Sequence, residues 1–165
     1  MPVEAEWDIR GVSRPQADGQ PSAVVICSRS GADASLLSLN VGPAEAHQLA
    51  HELQHEPTPR TRALDFVASM AEALGATIVA ARLMVGPAVS VRGALELSVR
   101  GETITISCPT GLALAASVGL GVPLIGDLAE VLSESAKAAA TSLDDTPWQA
   151  FLGTLDLSGL GEHPH

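Results

Sequence analysis

Aromatic residues are almost missing from this chain: two Trp, two Phe and no Tyr among 165 residues. Trp7, Phe66, Trp148 and Phe151 are too few and too scattered to floor a groove, which argues against a single-strand nucleic-acid platform of stacked rings. Positive charge is also short. Nine Lys and Arg stand against nineteen Asp and Glu, for a net charge of −10. Such a surface repels phosphate backbones at long range and gains nothing at an anionic membrane. The two cysteines, Cys27 and Cys108, lie in apolar, strand-like stretches without metal or redox spacing, so they read as reduced and buried. No run approaches the roughly 18 apolar residues of a spanning helix. The acidic start MPVEAEWDIR lacks a charged n-region and an apolar h-region. The expectation is a cytoplasmic protein that uses no membrane. A G-x-S-x-G elbow, a Walker loop and a dinucleotide fingerprint are all absent.

What remains is aliphatic. Hydrophobic residues make up 46% of the chain, which with so few rings predicts a Val, Leu, Ile and Ala core in one domain. Residues 4–13, 22–29 and 34–41 read as three strands separated by turn chemistry. A helix opens near Pro43 and stops before Pro57, and a second carries Leu64, Val67, Ala68, Ala71 and Leu74 at helical spacing up to Gly75. Three more strands follow, the last two joined by a tight turn at Arg100–Glu102. "TGLALAASVGLG" reads as a buried helix because it is apolar all round. "VPLIG" is a short strand, and Asp127 is placed to cap a further helix. This order predicts an α+β fold: a mixed, largely antiparallel sheet packed by helices, in two β-β-β-α-like halves. The expected boundaries are a domain over 1–132, a helix end and linker over 133–147, and an amphipathic helix with a frayed tail over 148–165.

One stretch asks for an explanation. "HELQH", His51 to His55, spells H-E-x-x-H, a zinc-protease pattern. On a helical wheel His47, His51 and His55 form a stripe away from the apolar face of Ala46, Leu49, Ala50 and Leu53. No third ligand follows in a convincing place. The stripe therefore reads as a solvated His/Glu/Gln face. Asp65 and Glu96 are the remaining candidates for a carboxylate pair.

Several segments, taken together, resemble the bifunctional nuclease domain family, whose members are described as cleaving DNA and RNA. "LSLNVGPAEAHQLAHEL" is similar to the family's L-P-I-W-I-G-x-x-E-A segment, with Gly42, Glu45 and Ala46 in matching places. "EPTPRTRALDFVASMAEALGATI" is similar to P-P-R-P-L-T-H-D-L-L…L-G-A, matching Arg60, Asp65 and Gly75. "CPTGLALAASVGLGVPLI" resembles R-P-S-D-A-I-A-L-A followed by G-x-P-I-Y-V. "PWQAFLGTLDLSGL" resembles the closing F-x-x-F-L-D-x-L helix. The matches run collinearly over roughly residues 5–158.

The resemblance implies metal-assisted phosphodiester hydrolysis, with Mg or Mn as the cation. Asp65 would be ligand or base, and Thr110 would help position the phosphate. Arg60, Arg92, Glu45, Cys108 and Pro109 would complete the substrate surface. The departures weaken that chemistry. Cys108, Pro109, Thr110 and Gly111 stand where the family has R-P-S-D, so a bidentate phosphate donor and a hard-cation ligand are both gone. Val91, Arg92 and Gly93 replace F-Y-A. The alternative is a non-catalytic binding or regulatory module, or a repurposed small-molecule pocket, on the same fold. A small-molecule ligand and a homo-oligomer are left open as partners; nucleic acid is disfavoured by the net charge.

Overall fold

The computed structural model describes residues 4–13, 22–29 and 35–134. The strands are β1 (Ala5–Ser13), β2 (Ser22–Ser28), β3 (Leu36–Val41), β4 (Ala76–Val85), β5 (Val91–Val99), β6 (Glu102–Cys108) and β7 (Leu124–Gly126). The helices are α1 (Pro43–Leu53), α2 (Pro59–Ala73) and α3 (Thr110–Leu120). The predicted element order is recovered, and the fold is α+β with a mixed seven-stranded sheet in the order β3-β2-β1-β7-β4-β5-β6. β1-β2-β3 and β4-β5-β6 are two antiparallel meanders, each followed by a helix. β7 joins them, antiparallel to β1 and parallel to β4.

Register decides which face is buried. Trp7, Leu124, Ala81, Leu95 and Ile106 form one row of paired residues across five strands, so their side chains share a face. Gly93 lies on that same face, and the start of α3 packs onto it. A Cβ there would lie 2.8 Å from Pro109 O and 2.9 Å from Ala113 Cβ. The core fills the space between this face and the helices. Ile26, Val24, Leu83, Leu124 and Leu114 are fully buried, and the core cluster is aliphatic apart from Trp7, as the composition predicted. On the opposite face Arg82, between Ala94 and Ile125 in register, pairs with Glu4 and Glu96. That face is polar but largely covered: the Arg82 and Glu96 side chains are mostly shielded, and Ala80 and Ala94 are buried.

α3 is buried as its apolar run predicted. Ala113 to Ala116 are shielded from water, Leu114 completely, while Leu112 is only partly covered. Burying a Leu side chain contributes about 1.5–3 kcal/mol. The helix stops at Gly121, whose φ of 66° suits a glycine, with Pro123 just beyond. Residues 129–134 are helical, and Asp127 Oδ1 accepts the Ala129 N–H at 3.2 Å, as the capping assignment required. Residues 1–132 form one compact unit and a second begins at Ser133. The linker and C-terminal helix expected over 133–165, with Trp148 and Phe151, lie outside the described residues beyond 134. No helix among the described residues is long and apolar enough to cross a membrane.

Candidate functional site

The H-E-x-x-H pattern dissolves on inspection of its backbone. α1 ends at Leu53, and His55 sits beyond it with a φ of 60°. The second histidine is therefore off the helix, and the i, i+4, i+8 stripe does not form. His47 and His51 do stack edge to face, with ring centroids 4.6 Å apart, and His51 Nδ1 is held by Glu56. No group of three His, Cys, Asp or Glu among the described residues is arranged to hold a metal ion.

Glu52 corrects the expectation of a solvated face. Its side chain is 1% exposed, the deepest carboxylate among the described residues. Arg60 reaches it as a fork, Nη2 to Oε2 at 2.8 Å and Nε to Oε1 at 3.1 Å. Thr58 Oγ1 donates to Oε1 at 2.8 Å, and Thr61 Oγ1 lies 3.4 Å from the same oxygen. Thr58 is also the N-cap of α2, in a reciprocal capping box with Thr61 ahead of Pro59 at the first helical position. One carboxylate thus ties the C-terminal end of α1 to the first turn of α2. A buried charge is tolerable when it is paired and its lone pairs are used. The sequence signal was present in "HELQHEPTPRT": a cap threonine, a helix-starting proline and an arginine eight residues after Glu52.

The residues carried over from the family resemblance divide into two sets. Glu45, Cys108, Pro109 and Thr110 gather at the N-terminus of α3. Thr110 Oγ1 donates to Val91 O at 2.9 Å, which pins the helix start to β5. Cys108 pairs with Gly93 at the end of β6. The Glu45 carboxylate reaches across from α1 and lies against Gly111, so that a Cβ on Gly111 would collide with its Oε1.

The other set is scattered. Arg60 is bound to Glu52 and its side chain is only 14% exposed. Asp65 is exposed on α2, where only its backbone oxygen is engaged, by Ser69 Oγ at 2.9 Å. The Arg92 side chain lies beside Gly86 and Ser90, and its register with Met84 turns it to the sheet face opposite α3. Glu96, the other carboxylate considered with Asp65, is on that opposite face with Arg82. Clefts are lined by different residues. A cleft of about 320 Å³ contains Glu6, Asp8 and Arg29, and the arginine is spent on both carboxylates at 2.6 and 2.8 Å.

Burial raises the pKa of the Cys108 thiol, and contact with the Ala113 backbone offsets this only in part. The thiolate is the reactive form, so Cys108 is expected to alkylate slowly at neutral pH. The rate should climb roughly tenfold per pH unit until the raised pKa is reached. Iodoacetamide labelling followed by mass spectrometry from pH 7 to 10 measures this, with Cys108→Ser identifying the site; fast labelling at pH 7 would mean the thiol is not desolvated.

The feature that sequence reasoning missed is the outer face of α2. Leu64 is its one fully buried side chain, with Ala68 and Ala71 half-covered. Val67 and Leu74, which recur with Leu64 at helical spacing, are 50% and 79% exposed, and Phe66 and Met70 stand beside them at 64% and 49%. No protein-family model matches the chain, and no curated protein matches it either.

Proposed function

We propose that this chain is a non-catalytic interaction module built on a bifunctional-nuclease-like scaffold, and that α2 presents its working surface. The observation that carries this reading is the outward apolar face of α2: a 15-residue helix that commits little more than Leu64 to the core leaves Phe66, Val67, Met70 and Leu74 in water. Contiguous exposed apolar surface of this kind is the mark of a contact site. The scaffold resemblance rests on the collinear matches over roughly residues 5–158.

Hydrolysis is the weaker reading. Charge stabilisation at a transferring phosphate can be worth about 10²–10³ in rate for one preorganised donor. Arg60, the best-placed candidate by sequence, is engaged by Glu52, and Asp65 stands alone on an exposed helix. The test is incubation of the purified chain with DNA and RNA in Mg²⁺, Mn²⁺ or EDTA, beside Asp65→Ala. No divalent-dependent cleavage is expected above that of the variant. Cys108→Arg with Gly111→Asp would restore an Arg and set a second carboxylate against Glu45, and cleavage is expected to rise there if anywhere. Robust Mg²⁺-dependent cleavage by the unmodified chain, abolished by Asp65→Ala, would defeat the non-catalytic reading.

A further inference from the structure

We propose that this chain pairs with a second copy of itself through β6, two β6 strands meeting antiparallel across a two-fold axis centred on Thr105 and joining the two sheets edge to edge. The proposal does not depend on what α2 contacts. β6 closes one end of the sheet, and no strand among the described residues pairs with its outer edge. Devices that usually protect such an edge are missing: the strand is seven residues long, contains no Pro, Lys or Arg, and keeps register with β5 without a bulge. The two ends of the sheet also differ in cover. At β3, Leu37, Leu39 and Val41 are buried against the core. At β6, Ile104 and Ile106 share a face with buried Leu95 yet are 45% and 51% exposed.

The backbone decides what fits there. The β5–β6 hairpin turns through Arg100 and Gly101 with φ of 52° and 85°. In a two-residue turn of this kind the flanking pair, here Val99 and Glu102, exchanges both hydrogen bonds. Alternation along the ladder then commits the backbone groups of Glu102, Ile104, Ile106 and Cys108 to β5 and turns those of Thr103, Thr105 and Ser107 outward. A second β6 uses all three only when Thr105 faces Thr105. A slip of one residue sets outward groups against groups already spent on β5, and a slip of two leaves one of the three without a partner. The centred register makes about six hydrogen bonds. It sets Thr103 against Ser107 on one face and Ile104 against Ile106 on the other, the hydroxyl and β-branched pairs that stabilise antiparallel strands. Reversed, the strand is thus its own complement in donors, acceptors and side chains, as a two-fold contact requires, and this selects a second copy as the occupant. Charge agrees. Glu102 is the only charged residue of the strand, and in this register it faces Cys108, about 20 Å from the other Glu102. A parallel pair would instead set carboxylate against carboxylate.

The test is the mass of the full chain in solution, by light scattering and sedimentation across a concentration series, with amide exchange read by NMR. A dimer is expected. In it the Thr103, Thr105 and Ser107 amides should slow as concentration rises, while those of Ile104 and Ile106, bonded to β5, are slow at every concentration. Thr105→Pro should weaken the dimer by at least about tenfold in Kd, since it deletes both central donors, and should leave circular dichroism unchanged because β5 does not use that N–H. Ile104→Lys with Ile106→Lys keeps every backbone donor and should also yield monomer. A chain that is monomeric throughout overturns the proposal. So does a dimer whose Thr103, Thr105 and Ser107 amides exchange freely. A dimer that survives both strand variants but is dissociated by Met70→Glu overturns it too, because the contact would then lie on α2.

Discussion

Glu52→Ala is expected to lower the unfolding free energy by about 3–5 kcal/mol, the usual loss when one partner of a buried ion pair is deleted. Arg60 would keep its charge beside the space vacated, and the cap hydroxyl of Thr58 would lose its acceptor. For a chain of this size that corresponds to a fall in Tm of roughly 6–20 °C. The mechanism is separable from simple loss of volume. Replacing both partners, Glu52→Leu with Arg60→Met, removes the charges together and should recover most of the loss, because apolar substitutes for buried pairs are often neutral. Urea unfolding followed by circular dichroism measures all three proteins. A loss below about 1 kcal/mol for Glu52→Ala is the range of a solvent-exposed pair and would contradict the burial on which the argument depends.

The second large effect is at Gly93, and a nearby glycine supplies the contrast. A Cβ on Gly93 meets Pro109 O at 2.8 Å, Ala113 Cβ at 2.9 Å and Thr110 Cα at 3.0 Å. Two of these three are backbone atoms, so relief requires the first turn of α3 to lift from the sheet. Gly93→Ala is therefore expected to cost about 1–3 kcal/mol, and Gly93→Val more. At Gly111 a Cβ collides only with the end of the Glu45 side chain, which can swing away. Within a helix, Gly→Ala itself contributes about 0.5–1 kcal/mol. Gly111→Ala should leave stability unchanged or slightly higher. If both variants destabilise equally, Glu45 is held at α3 more firmly than its partly exposed position suggests.

The difference between these two glycines also shows what could be read from the sequence and what could not. Strands, helices and their order were legible because they depend on local signals: β-branched runs, Pro at helix starts, Gly75 and Gly121 at helix ends, the apolar run of α3. The two meanders followed from short turns between neighbouring strands. The pairing of β7 with both β1 and β4 did not, since three residues of strand reach partners more than a hundred positions away in β1 and, across β5, β6 and α3, in β4. The outward turn of the α2 face was not legible for a related reason. Helical spacing identifies a stripe of apolar residues but not whether it faces its own core, and Leu64, Ala68 and Ala71 turn inward while Val67 and Leu74 do not. Glu52 was placed in water because carboxylates are seldom buried unless paired, and its partners arrive from the next helix. At the candidate site, Glu45 and Thr110 meet at the α3 N-terminus, whereas Arg60, Asp65 and Arg92 lie apart from it and from one another.

β7 has a consequence for how the chain is made. Its three residues provide the hydrogen-bonded seam between the two meanders of the described sheet, yet they are synthesised after both. A nascent chain that has emerged as far as α3 can complete each hairpin set from nearby partners, with short loops to close. It cannot unite them. β1 must wait, its inner edge open, while more than a hundred further residues are translated, and only when Leu124–Gly126 clears the ribosome can the indole N–H of Trp7 find the Gly126 carbonyl, 3.0 Å away in the finished sheet. Through that interval the growing protein is two half-sheets with unpaired inner edges, and translation speed across α3 sets how long they stay that way.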